Sequence, residues 1–177
     1  RYVVRTYMAP ASEAGAQRRA AALTVLAELL GGSGVTSVLG ERLQIEEEIA
    51  LGAGAWYDST ALDPSTFGLY VVPRPDVSLD EAEAAMDRVL ADFVEAGPDP
   101  AHLERVRAQV RASEIYARDS QTGLARKYGY ALTSGLTLAD VEAWPRLLQE
   151  VTADEVVAAA REVLDEDRSV TGWLTGA

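Results

Sequence analysis

Hydrophobic and polar positions change period several times along the chain, and each change marks an element. Tyr2-Val3-Val4-Arg5-Thr6-Tyr7-Met8 is rich in β-branched and aromatic residues and ends at Pro10, which predicts a strand. Ser12 then opens a predicted helix, in which Ala20, Leu23, Leu26, Ala27 and Leu30 recur at helical spacing. Gly31, Gly32 and Gly34 read as its stop, because glycine reaches the left-handed conformation common at helix C-termini. A short amphipathic helix starts near Thr36, with Val38, Leu39, Leu43 and Ile45 as its apolar side, and leads through Glu46, Glu47 and Glu48 into a strand ending at Trp56-Tyr57. That strand is low in charge and small in side chains, so another backbone could approach it closely.

Phe67 to Val72 is a second β-branched and aromatic run, closed by Pro73 and Pro75; with Ala50 to Tyr57 it predicts an antiparallel pair across the Asp63-Pro64 turn. The remainder is mostly helical. Ser78-Leu79-Asp80-Glu81 reads as a capping box ahead of a stripe formed by Leu79, Ala82, Met86, Val89, Leu90 and Phe93, ending at Gly97. Asp99-Pro100 caps the next helix, with Leu103, Val106 and Val110 facing inward. Further helices follow Gln121, Thr137 and Thr152, the last with a second capping box to Glu155, and Ser169 to Leu174 closes the chain as a strand. This order predicts an α+β fold, a mainly antiparallel sheet with helices packed on it. The 177 residues suit one domain; the lack of an initiator Met and of a signal-like start makes it read as a piece of a longer protein, missing an N-terminal segment.

Charge narrows the partners. Against 28 Asp and Glu stand 16 Lys and Arg, a formal net charge of -12, which argues against a nucleic-acid surface. No run of about 18 apolar residues is present, so no membrane insertion is expected. Absence of cysteine removes disulfides and thiolate ligands but leaves the compartment open, periplasm and cytoplasm being equally compatible.

Catalytic chemistry finds little footing. A catalytic zinc takes three protein ligands, and this chain has a single histidine, His102, and no H-E-x-x-H or H-x-x-E-H. His102 reads as a surface or capping residue; it would also have to serve any Ser-His-acid triad, and no Gly-x-Ser-x-Gly elbow occurs. The pair Asp80/Glu81 and the run Glu46 to Glu48 read as caps and solvated faces, as do Arg105, Arg107 and Arg111. Gly31-Gly32-Ser33-Gly34 lacks the Gly-Lys-Ser/Thr of a phosphate loop and follows a helix. Trp56 and Tyr57 at a strand end read as sheet-packing aromatics. No catalytic and no metal-binding residue is expected in this chain.

Several strings, in order, resemble the non-catalytic repeat of the pitrilysin/insulinase superfamily, the inverted zincins that include the mitochondrial processing peptidases. Leu30-Gly31-Gly32-Ser33, Ser37-Val38-Leu39, Leu43-Gln44 and Ile49-Ala50-Leu51 fall where that repeat has a helix ending in Leu-Gly-Gly-Gly, a Ser-Arg-Leu then Leu-Arg pattern, and Gly-Leu-Ala-Tyr entering a strand. Asp99 to Arg107 resembles the family's Glu-Leu-x-x-Ala-Lys helix start, and Val151 to Val156 its Val-Thr-x-Glu-Asp-Val helix. The resemblance implies a peptidase-half fold with helices on one face of the sheet, in a bacterial zinc peptidase. It also implies a homologous zinc-bearing domain or subunit as partner, with zinc in that partner, and a chamber in which this half helps hold extended peptide. Where the family has an arginine and, seven residues later, a tyrosine that contact substrate, this chain has Gln44 and Leu51; Arg42 and Tyr57 are the neighbours that could compensate. The alternative it leaves is a structural or binding module of the same fold without proteolysis, with an unrelated α+β ligand-binding domain third.

Overall fold

The computed structural model describes residues 1–32, 34–117 and 119–175; Ser33 of the glycine-rich turn lies outside the described residues. Strands β1 (Tyr2–Ala9), β2 (Ala50–Tyr57), β3 (Ser65–Pro73) and β4 (Ser169–Leu174) form one antiparallel sheet in the order β2-β3-β1-β4. Alternation along each strand sets its faces. Val3, Arg5 and Tyr7 stand opposite Val71, Leu69 and Phe67, and these opposite Ala53, Ala55 and Tyr57, on the side that meets the helices. Tyr2, Met8, Trp56 and Tyr70 are exposed on the other side.

The helices are α1 (Arg18–Ala27), α2 (Val38–Gly40), α3 (Leu79–Ala96), α4 (Pro100–Ala117), α5 (Gln121–Thr133), α6 (Leu138–Glu150) and α7 (Ala153–Val163). The apolar stripes of the helices other than α5 meet the sheet in one core, with Leu23, Leu26, Leu30, Met86 and Val156 fully covered, while α5 packs on α6 in a second, smaller cluster of Ala131, Leu136 and Val141. The fold is therefore the α+β arrangement the pattern predicts. Ser78, Thr137 and Thr152 each cap a helix by accepting the N–H of the third residue on; the boxes at Thr137 and Thr152 close in both directions, whereas Ser78 supplies one half of the expected box. Arg18 binds Glu155 and the carbonyl of Glu150, fastening α1 to the α6–α7 junction.

Two local expectations are corrected. The first helix begins at Arg18 rather than Ser12, because the intervening backbone is used elsewhere. The Ser12 N–H donates to the Ser59 carbonyl (2.8 Å), and Gly15, at φ +73°, donates to Asp140 (2.9 Å). The glycines after Leu30 are also not three equivalent stops. Gly31 and Gly32 lie in a π-helical turn, Glu28–Gly32, that continues α1, and only Gly34 of the three is left-handed, at φ +62°. What requires glycine at position 31 is space: a Cβ there would sit 1.9 Å from the Ala55 nitrogen and 2.3 Å from the Gly54 carbonyl carbon.

The sheet is anchored from within by Arg5. This nearly buried side chain reaches from β1 to Thr171 on β4 (2.8 Å) and to Asp87 and Glu83 on α3; Glu83 in turn accepts from the Trp173 indole (2.7 Å). Burial works against the charge, but hydrogen bonds to Asp87 and Tyr7 outweigh it and hold the guanidinium firmly protonated.

Gly31→Ala is expected to lower unfolding stability by about 2 kcal/mol or more, since backbone must shift to admit one methyl. Gly52→Ala, where a Cβ meets nothing within 4 Å, is expected to stay within about 0.5 kcal/mol of the parent in the same urea titration. Equal effects would remove the steric account of Gly31.

Candidate functional site

The residues that carry the family resemblance gather where the chain enters β2. After the short helical turn Gly34–Thr36, Ser37 caps α2 by accepting the Gly40 N–H (3.2 Å), and buried Leu39 and Leu43 anchor the segment to the core. The chain widens into a second π-helical turn, Glu41–Glu46, closed by the Glu47 N–H on the Arg42 carbonyl (2.9 Å). Glu48 then takes φ +52°, a conformation few side-chain-bearing residues adopt, and the Arg74 guanidinium holds its carbonyl at 2.9 Å. Ile49 returns to the Leu43 carbonyl (3.0 Å), and β2 begins.

β2 is an edge strand, and its ladder to β3 slips at once. Ala50 stands opposite Pro73 and Gly52 opposite Val72, leaving Leu51 as the extra residue of a β-bulge. Leu51 is 61% exposed. Gln44 is half-buried on the adjacent turn, and its amide has no hydrogen-bond partner among the described residues. Arg42, on the same turn, is committed to Glu46 (3.2 Å) and to Asp92 of α3 (3.3 Å). Tyr57 lies at the opposite end of β2, about 20 Å along the strand. Its hydroxyl donates to the Pro10 carbonyl and its ring packs 6.3 Å from that of Phe67. Burial, then the charge of Asp58, raises its pKa, so it remains a protonated donor. Gln44 and Arg42 thus lie on the turn that leads into β2, Leu51 is the second residue of that strand, and Tyr57 is its last.

Behind the turn a cavity of about 280 Å³ is lined by Glu41, Arg42, Asp92, Asp99 and His102 among others. His102 is only 6% exposed, which corrects its reading as a surface residue: the Asp99 carboxylate takes its backbone N–H (2.8 Å) and the first turn of α4 packs inward with Leu103 and Val106. Among the described residues no group of three or more His, Cys, Asp or Glu side chains is placed to hold a metal ion. Glu46, Glu47 and Glu48 face Arg42, Arg88 and Arg74 at 3.0 to 3.8 Å in largely exposed pairs, which contribute little to stability. No helix of the described residues is long and apolar enough to cross a membrane.

The seating of Gly31 on β2 and the buried Arg5 cluster were the features sequence reasoning missed. The second had a signal: Arg5 shares the inward parity of Val3 and Tyr7, and Glu83 and Asp87 are four residues apart on one helix face.

A family description of the peptidase M16 inactive domain matches residues 6–110, which include the whole β2 entry. The chain belongs to this family. Solved structures similar to this peptidase M16 inactive domain include a protease from Helicobacter pylori, with TM-score 0.86 and 20% identity over 96% of this chain and 39% of that one. A peptidase M16 inactive domain from Pseudomonas fluorescens gives TM-score 0.81 and 19% identity over 96% and 40%. A chain of complex III2 from Candida albicans gives 0.72 and 12% over 96% and 41%. The present chain therefore spans about two-fifths of the length of each of these. No curated protein matches it.

His102 offers a check on the packing behind the turn. Burial first, then the charge of Arg105, lowers its pKa below 6.5, partly offset by Asp99 and Glu41. The unfolded chain then binds the proton more readily than the folded one, so this contribution to stability is complete above pH 6.5 and is lost as pH falls toward the folded value. Denaturant titrations from about pH 7 to about pH 5.5 should show the parent losing stability more steeply than His102→Gln. Parallel slopes would contradict the assignment.

Proposed function

We propose that this M16 inactive domain is the peptide-holding half of a bacterial zinc peptidase, shaping one wall of a chamber whose other wall is a homologous zinc-bearing domain or subunit. The observation that carries the reading is the edge of β2, which pairs with β3 alone among the described residues, with the Leu51 bulge at its entry and, on the turn that leads into it, the Gln44 amide, without a partner among the described residues. An extended peptide adds to such an edge through main-chain hydrogen bonds. Gln44 supplies both a donor and an acceptor for a peptide group, and Leu51 offers apolar contact where the family resemblance implies a tyrosine hydroxyl. The zinc and the general base belong to the partner; this chain binds and orients the peptide.

A second reading, a module of the same fold without proteolysis, is favoured by the chemistry of the same two positions, since glutamine carries no charge and leucine no polar group. The full-length gene and its neighbours separate the two: a zinc-bearing half requires H-x-x-E-H with a downstream glutamate, and its absence from both would leave the structural module.

In the assembled peptidase, Gln44→Ala is expected to lower kcat/KM for peptide cleavage about tenfold, chiefly through KM, as the loss of one hydrogen bond to a bound peptide group. An unchanged kcat/KM would remove Gln44 from the site. The isolated chain is expected to cleave no peptide and to carry no stoichiometric zinc by metal analysis; one tightly held zinc per chain would refute the assignment of zinc to the partner.

A further inference from the structure

We propose that the cavity behind the Glu41–Glu46 turn, between the end of α3 and the start of α4, binds a guanidinium group, carried by a small free molecule or by an arginine side chain. The proposal does not rest on the peptide reading, which concerns the β2 edge.

The cavity has an apolar part, Val38, Val89 and Phe93, and a polar part contributed by three elements. The turn brings Glu41, Arg42 and Glu46, α3 brings Asp92, and the head of α4 brings Asp99 and His102. Four carboxylates therefore face one guanidinium, and that one is already shared between Glu46 and Asp92. The acceptors left over are specific. Glu41 makes no ion pair and no side-chain hydrogen bond among the described residues. Asp99 spends one oxygen on the His102 N–H (2.8 Å), and its other oxygen has no donor among them.

His102 is the decisive group. Its residue is 6% exposed, it lines the cavity, and its ring nitrogens have no hydrogen-bond partner among the described residues. A polar side chain so covered ordinarily has a partner. Burial and Arg105 keep the imidazole neutral near pH 7, so one ring nitrogen accepts a hydrogen bond without repelling a cation. Excess carboxylate beside a neutral acceptor selects a positively charged donor. These acceptors do not converge on one point among the described residues, and a planar group with N–H donors on several sides matches such a spread better than a point charge does. At about 280 Å³ the cavity falls below the roughly 300 Å³ at which sites for drug-sized molecules begin, so the ligand is one cationic group on a short apolar stem.

Calorimetric titration of the chain with n-propylguanidinium at about pH 7.5 is expected to show one saturable site, weaker at about 0.15 M salt than at low salt. n-Propylurea, similar in shape and uncharged, should not bind. Glu41→Gln should weaken binding roughly fivefold, and Glu41→Arg, which brings its own guanidinium to the cavity, should abolish it. Glu41 is exposed, so both variants should keep the parent circular dichroism. Asp76→Asn, at an exposed turn outside the cavity, should bind as the parent does. Affinity should also fall from about pH 7 to about pH 5.5 as His102 takes up a proton, and fall less in His102→Gln. Binding retained by the full-length protein marks the ligand as a free molecule; binding present in the isolated chain and lost there marks it as an arginine of the remaining protein. No saturable binding by the isolated chain overturns the proposal, as does equal binding of n-propylurea or an affinity that Glu41→Arg leaves unchanged.

Discussion

The contact on which the rest depends is the seating of Gly31 on the backbone of β2. A helix normally keeps its neighbours at side-chain distance; here α1 runs on into a π-helical turn whose glycine leaves no room for a methyl group against Gly54 and Ala55. That approach requires a strand with almost no bulk, and Ala53, Gly54 and Ala55 provide it. A strand so bare is intrinsically weak, and aromatic side chains from the other face compensate: Tyr70 covers Gly54, and Trp56 covers Gly68, across the β2–β3 ladder. With the helix end seated there, the following turns are drawn beside the entry to β2. Gln44 lies on the second of those turns, and Leu51 at the bulge where the strand begins.

The sheet has two edges, and they differ. The β2 edge is bulged and bordered by ion pairs of Arg42, Arg74 and Arg88 with the glutamate run. The β4 edge is regular and uncharged. Between them Arg5 joins β1, β4 and α3 through bonds that outweigh the penalty of burying its charge. Acidic groups dominate the rest of the surface, and they act mainly in helix caps and solvated pairs.

Much of this was legible in the sequence. Strand and helix periods gave the element order, and Ser37-Val38-Leu39 through Leu51, with the order of neighbouring strings, carried the family. The start of α1 was not legible, because Ala20 to Leu30 fixes a helical face while the use of the Ser12 and Gly15 N–H groups depends on Ser59 and Asp140, far away in the chain. Nor was the role of Gly31: a glycine after a helix fits a left-handed stop and a close approach equally well until the opposing backbone is seen. His102 misled for a related reason, since the polar neighbours that suggest exposure lie on the outer side of α4 while its own position faces inward. The separation of Tyr57 from Leu51 was implicit in the strand length, but the commitment of its hydroxyl to Pro10 was not.

The central claim is that peptide lies along β2, beginning at the Leu51 bulge. It is tested most directly by placing a photoreactive amino acid at position 51, and in a separate protein at position 170 on the other edge, within the assembled two-half peptidase. On illumination with a labelled, uncleaved peptide, position 51 should capture the label and position 170 should not. Capture from position 170, or from neither, would contradict the account.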